Sequence, residues 1–366
     1  MMNNVIEVSG PKLPESLKDV TPEWLSGVLS GERGRVVVKS VTIDKEVHGT
    51  STMARLALQY DDSTAAASLP DRLWVKAGYE PHSDAMGQLD LYAAEARFYR
   101  DLRGELPVNA PQCYFAACDE SAKRGVILIE DLDGRGATFG YSTRPVSIDT
   151  MRKILTGLAR LHAAWWADPK LWELSWLQLP LDYGSPMEAY FRAHTPEVVA
   201  SYLDRPRAAA VPCNIANPKA LNDALWALQA LMASTPSCLL HGDPHIGNMF
   251  FEKDGTPGLF DWQILRRGRW AHDVTYAIVT ALDVADRRNS EEDLLKHYLA
   301  QLEEYGVDAP DFDEAWLEYR RYLAWGLMVW LVNPEDFQPD EVNEPYLTRF
   351  AIAADDLKMF TSLGLG

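Results

Sequence analysis

Leu240-His241-Gly242-Asp243-Pro244-His245-Ile246-Gly247-Asn248, followed by Phe260-Asp261-Trp262, is the stretch from which the rest of the chain is read. Asp243 and Asn248 stand five apart in one tight loop, and Asp261 follows thirteen after Asn248. The gap reads as a hairpin: Met249-Phe250-Phe251 as a strand, Lys253-Asp254-Gly255 as the turn, and Gly258-Leu259-Phe260 as the returning strand. A hairpin brings its open ends together, so Asn248 and Asp261 are expected at one place. Oxygen ligands gathered there suit magnesium, which prefers a few protein oxygens beside substrate phosphates. Asp243, a short loop away, is placed to orient a hydroxyl nucleophile and accept its proton.

Other readings exist for each residue. Asp243 fits a turn carboxylate binding its own backbone, and Asn248 fits a strand-entry cap. Neither accounts for Asp261, an acid after apolar strand residues, where burial is costly unless the group is paired or holds a metal. His241, Asp243 and His245 alternate, so in an extended stretch they could ligate zinc. Pro244 and Gly247 argue for a bent loop instead, and no third ligand partner is evident. The two histidines are then expected to pack the loop, their ring nitrogens binding backbone carbonyls.

The chain has 366 residues, enough for about two domains. Hydrophobic content of 47% and a mean hydropathy of −0.21 describe a globular protein with a large core. No apolar run approaches a membrane span, and Met1 to Val8 lacks the basic start and apolar stretch of a secretory signal. Cys113, Cys118, Cys213 and Cys238 form no CxxC pair and read as buried free thiols in a reducing cytoplasm. A net charge of −18 disfavours nucleic acid or an anionic membrane as partner.

Outward from the catalytic stretch, the two halves differ in character. Thr21-Pro22 starts a helix near 22–30. Segments 36–38, 41–43, 54–58, 73–77, 114–116 and 125–129 read as strands, with a helix near 88–102. Residues 1–130 are thus expected to form a small, mostly antiparallel lobe, and 131–135 a hinge. Residues 136–366 form a larger helical lobe holding the loop 241–248. Helices are expected over 149–166, 222–232, 274–282, from a Ser290 cap to Gly306, and over 315–331. The expected fold is α+β, two-lobed and protein-kinase-like.

A triphosphate needs positive charge in the first lobe. Lys76 lies on a strand. Leu91, Glu95, Phe98 and Leu102 share one face of the following helix. An acid within that apolar stripe wants a buried cation, and Lys76 is its expected partner, holding the ammonium toward the phosphates. His48-Gly49-Thr50-Ser51-Thr52-Met53 has one glycine; the amides and hydroxyls of Gly49, Thr50 and Ser51 could cap a phosphate, or the segment is a plain hairpin turn. At the hinge, the backbone of Glu130 and Leu132 is expected to border the adenine.

These residues, with Ile129-Glu130-Asp131-Leu132, Leu158-Ala159-Arg160-Leu161-His162-Ala163 and Ala271-His272-Asp273-Val274-Thr275-Tyr276, resemble the aminoglycoside phosphotransferase superfamily of small-molecule kinases. Within it, the likeness is nearest the ecdysteroid-kinase-like and choline-kinase-like branch. The resemblance implies ATP and Mg2+ as cofactors, Asp243 as catalytic base, and Asn248 and Asp261 as metal ligands. It also implies that Asp273 binds the catalytic-loop backbone and that His162 is scaffold. Trp262-Gln263 stands where protein kinases have Phe-Gly, which argues against a mobile activation segment.

The expected activity is an ATP-dependent phosphotransferase moving the γ-phosphate to a hydroxyl of a small molecule. Segments 167–235 and 315–346 are expected to form the acceptor pocket. The first carries seven acids against five bases, few for a polycationic aminoglycoside. The second sets Trp316, Tyr319, Leu323, Leu327 and Trp330 at helical spacing, a stripe that fits core or substrate contact. An acceptor with apolar character is favoured over an aminoglycoside antibiotic. A kinase-fold binding module without turnover and a zinc metallohydrolase are the rival classes.

Overall fold

The computed structural model describes residues 12–30, 34–61, 66–234 and 236–366. The reading of Met1 to Val8 therefore lies outside the described residues. The chain divides into two compact units, Met1–Asp101 with Pro111–Asp131, and Leu102–Ala110 with Leu132–Gly366.

The first unit is built on a five-stranded antiparallel sheet. Its strands are β1 (Val38–Val47), β2 (Thr52–Tyr60), β3 (Arg72–Ala77), β4 (Cys113–Asp119) and β5 (Arg124–Glu130), in the order β1-β2-β3-β5-β4. The two strands expected at 36–38 and 41–43 are one: β1 is continuous from Val38, with register irregularities after Val38 and Ile43, and Val36 and Val37 precede it. Helix α1 (Pro22–Leu29) is capped by Thr21, whose hydroxyl accepts the Trp24 amide at 3.3 Å. Leu25 and Leu29 join Leu56, Leu73, Val75 and Leu128 in the core of this unit. The helix expected over 88–102 is broken. Helix α2 (Ser83–Gln88) ends before Asp90, which adopts a left-handed φ of 64°; α3 (Leu91–Arg97) follows and continues into a π-helical turn over Phe98–Leu102. Asp90 tolerates that conformation better than most residues, and its carboxylate anchors Arg97 at 2.5 Å.

The second unit is mostly helical. Its small strands are β6 (Thr138–Phe139), β7 (Cys238–Leu240), β8 (Met249–Phe251), β9 (Pro257–Leu259) and β10 (Arg266–Gly268). They form a two-stranded sheet β10-β7 and a three-stranded sheet β6-β8-β9. Helices α4 (Ile148–Ala164), α5 (Lys170–Glu173), α6 (Pro186–Arg192), α7 (Pro196–Leu203) and α8 (Pro218–Met232) precede the catalytic stretch. After it come α9 (Ala271–Ala281), α10 (Val284–Glu304), α11 (Phe312–Val332), α12 (Asp340–Asp356) and α13 (Met359–Ser362). Helix α4 packs on α10, and α11 packs on α9 and α12. The α10 cap is Asp283, whose carboxylate accepts the Asp286 amide at 2.8 Å, not Ser290. Ser290 lies inside the helix with its hydroxyl bonded back to the Asp286 carbonyl, an alternative open to any mid-helix serine. Gly306 ends the helix with φ of 83°.

The stripe on α11 is mainly core: Tyr319, Leu323, Leu327 and Trp330 are buried, and Trp316 is half-buried. Of the cysteines, Cys238 alone is fully buried; Cys113 and Cys118 are half-buried and Cys213 is exposed. Among the described residues no helix is long and apolar enough to cross a membrane.

Candidate active site

The loop 241–248 leaves β7 and turns at once, because Gly242 has φ of 87° and its missing Cβ makes room for the Ile264 carbonyl. Asp243 then closes the loop on itself. Its carbonyl accepts the His245 amide at 2.9 Å and Asn248 Nδ2 at 2.9 Å; its carboxylate oxygen Oδ2 accepts the same Nδ2 at 3.2 Å. The amide nitrogen of Asn248 is thereby fixed, and no described group donates to its Oδ1. The loop closes through a single 3-10 turn over Ile246–Asn248 before β8 begins.

The hairpin has the expected form. Strand β8 pairs antiparallel with β9, Met249 opposite Leu259 and Phe251 opposite Pro257. The two ends meet where Phe260 donates its amide to the Asn248 carbonyl at 3.1 Å. Asp261 follows in a left-handed conformation, φ of 64°, a position that costs strain in any non-glycine residue. Asp243, Asn248 and Asp261 are gathered within this one unit. Burial holds the Asp243 carboxyl well above the usual range, and the nearby Asp261 charge pushes it further the same way.

Both loop histidines bind loop backbone through a ring nitrogen. His241 Nε2 donates to the Phe260 carbonyl at 3.0 Å, and its Nδ1 accepts the Asp243 amide at 3.3 Å. His245 differs from expectation: its Nδ1 accepts the Gly247 amide at 3.0 Å rather than donating to a carbonyl. Burial lowers its pKa to about 3, so the ring is neutral. Below the loop, Asp273 accepts the His241 amide at 2.7 Å and the Gly242 amide at 3.0 Å, and His162 Nε2 lies 3.2 Å from the same carboxylate.

In the first unit, Lys76 Nζ lies 2.8 Å from Glu95 Oε2 and 3.0 Å from Oε1, with both side chains buried. The loop carrying Gly49, Thr50 and Ser51 joins β1 to β2. It is held from behind: His82 Nε2 donates to the Gly49 carbonyl at 2.9 Å, and the Tyr92 hydroxyl to the Thr50 carbonyl at 2.7 Å. Glu130 ends β5, gives its own amide to the Gln112 carbonyl at 2.9 Å, and accepts the Gln112 amide at 2.6 Å. Leu132 belongs to the second unit and opens a 3-10 turn over Leu132–Arg135.

The sequence pattern of the phosphotransferase enzyme family matches residues 30–315. The chain belongs to that family. Among curated proteins none matches the sequence. Of solved structures, the phosphotransferase resembles a Plasmodium vivax ethanolamine kinase at 13% identity over 88% of this chain and 83% of that one, with a TM-score of 0.50. Choline kinase LicA from Streptococcus pneumoniae aligns at 17% identity over 92% and 96%, TM-score 0.47. A macrolide 2'-phosphotransferase type I aligns at 17% over 93% and 97%, TM-score 0.44. The fold is the two-lobed α+β kinase-like fold expected from the sequence.

The donor set of this phosphotransferase suits a hard cation. Asn248 offers an amide oxygen and Asp261 a carboxylate, the oxygen chemistry magnesium prefers. Both His241 ring nitrogens and His245 Nδ1 are engaged with loop backbone, while His245 Nε2 lies 3.7 Å from Asp243 Oδ2; among the described residues no group of three His, Cys, Asp or Glu side chains is arranged to hold a metal. Two residues escaped the sequence reading. Tyr276, on α9, lies near enough to Asp243 for that residue's charge to help hold its hydroxyl un-ionised. The Tyr346 hydroxyl, from α12, lies 3.2 Å from both the Gly247 amide and His245 Nδ1. Tyr276 stands three after Asp273, one helical turn along the same face, and that spacing was the available signal.

Proposed function

We propose that this chain transfers the γ-phosphoryl group of ATP, with Mg2+, to a hydroxyl of a small molecule of partly apolar character. Membership of the phosphotransferase family supports phosphoryl transfer as the reaction. The observation that carries the finer reading is the fixing of Asp243: its carboxylate is held by Asn248 Nδ2 at 3.2 Å, on a loop whose backbone Asp273 anchors.

In this reading Asp243 orients the acceptor oxygen for in-line attack and takes its proton. Asn248 Oδ1 and the Asp261 carboxylate hold the cation, which when bound neutralises phosphate charge. Lys76, kept in place by Glu95, adds the second positive charge. The amides of Gly49, Thr50 and Ser51 cap a phosphate, and the backbone near Glu130 and Leu132 borders the base. Support for apolar acceptor character comes from the segment 167–235. It leaves Trp172 and Tyr183 exposed and carries only two more acids than bases.

The test measures ADP release with hydroxylated steroids, choline analogues and aminoglycosides as acceptors. Apolar alcohols are expected to stimulate release, and Asp243→Asn to abolish turnover with ATP binding nearly intact. Hydrolysis that no acceptor stimulates points instead to a binding module. Stimulation by aminoglycosides alone would overturn the acceptor assignment.

A further inference from the structure

Along α4 the helical unit holds a groove of about 470 Å³, within the size range of small-molecule sites. It does not include Asp243, Asn248 or Asp261. Its floor is apolar, made by Ile154 and Leu158 of α4, Val108, and Met249 and Leu259 of the hairpin strands. Its rim carries Arg152, Lys153, Arg160 and His297, and no aspartate or glutamate lines it. The chain as a whole has 53 acids against 35 bases, so this rim runs against the average surface.

A second observation is independent of charge. Gly157 lines the groove from the middle of α4. A glycine inside a helix is destabilising relative to alanine. No protein atom requires it here, because a Cβ at this position would meet nothing within 4 Å. What the missing side chain leaves open is room in the groove.

The rim cations are not equivalent. Arg152 pairs with Asp149 at 3.0 Å, and Arg160 lies over the Tyr305 ring at 5.6 Å. Lys153 reaches over the hairpin turn at Gly255 and makes no ion pair with another described residue. The acid that feels its charge, Asp254, accepts the Thr256 amide at 2.9 Å.

We propose that this groove binds an amphiphilic anion, its apolar chain on the Ile154, Leu158, Met249 and Leu259 floor and its carboxylate or phosphate head at Lys153. The floor strands start one residue after Asn248 and stop two before Asp261. A bound chain therefore stiffens the hairpin that carries both.

The test is titration calorimetry of the full chain with decanoate, decyl phosphate, decanol and decyltrimethylammonium, all below their micelle concentrations. Decanoate or decyl phosphate should bind roughly tenfold tighter than decanol, and the cation should not bind. The better of the two anions identifies the head group. Hydrogen exchange over residues 249–259 should slow on binding. Gly157→Leu, which fills the open space, should weaken every chain. Lys153→Gln, a change at an exposed residue, should erase the preference for anions and keep decanol binding. Equal affinity for all head groups, no binding, or wild-type binding by both variants overturns the proposal. No nucleotide or acceptor enters the measurement, so its failure leaves the proposed phosphoryl transfer untouched.

Discussion

Asp273 receives the His241 amide at 2.7 Å on Oδ2, the oxygen that also faces His162 Nε2, while its other oxygen takes the Gly242 amide at 3.0 Å. The carboxylate is fully buried, and burial alone would raise its pKa. The hydrogen bond and charge interaction with His162 outweigh that and keep it below the usual value. His162 is itself oriented by the Tyr298 hydroxyl, 2.7 Å from Nδ1. Asp273→Asn puts an amide NH2 where an acceptor is needed. It should cost on the order of 2–3 kcal/mol, the scale of hydrogen bonds to a charged group. Urea denaturation measures the loss; a variant as stable as wild type contradicts the anchoring role.

The Lys76–Glu95 pair makes a different kind of prediction. Both side chains are about 95% buried, at 4% and 5% exposure. Removing one partner takes away the charge that compensates the other's burial, at a cost of up to roughly 3–5 kcal/mol. Lys76→Met and Glu95→Gln should each be strongly destabilising. The double variant should lose clearly less than the two losses summed, since it leaves no buried charge. Simple additivity in a denaturation cycle would refute the coupling. Turnover should stay low in the double variant although stability recovers.

How much of this was legible beforehand depends on the distance over which each residue acts. The hairpin was readable because its strands, turn and ligand positions lie within one short stretch, and local turn chemistry sets its register. Glu95 was readable because an acid in an apolar helical stripe implies a partner. Tyr346 was not. It sits on α12, where Pro345 lies inside the helix and reads as a breaker. Its contact with Gly247 spans 99 positions. The α10 start was misplaced because Ser290 and Asp283 are both plausible caps. Only the tertiary fold decides which is first in the helix.

Glu188 gives a pH dependence with a definite sign. Gln229 Nε2 donates to its carboxylate at 3.0 Å, the Gly184 amide at 2.6 Å and Arg192 at 3.0 Å. These bonds, the Gln229 one foremost, lower its pKa from 4.5 to about 2. A folded-state value below the unfolded one means the contribution is fully present above the unfolded value. It is lost as pH falls toward about 2. Glu188→Gln should therefore narrow its stability gap to wild type as pH drops through that window. Denaturation midpoints measured at successive pH values check this, and a gap that widens on acidification reverses the sign and rejects it.

Tyr276 separates positioning from packing at the site itself. Its ring lies nearly parallel to Trp330, at 24° and 6.1 Å, and against Phe350 at 5.5 Å, so a phenyl group can keep those contacts. Burial first, and the neighbouring Asp243 charge, push its hydroxyl's ionisation well above the usual tyrosine range. Tyr276→Phe removes the hydroxyl alone. Stability should fall by no more than about 1 kcal/mol, the usual net value of a single polar contact. If the hydroxyl aims Asp243 at the acceptor, kcat should fall by roughly tenfold, because misplacement at a reacting group is amplified in the rate. The KM for ATP should be unchanged. A residue that merely fills the core predicts the opposite division, a lowered melting temperature with kcat preserved. Measuring both quantities on the one variant decides between the two, because the ring contacts are common to both proteins and only the hydroxyl differs.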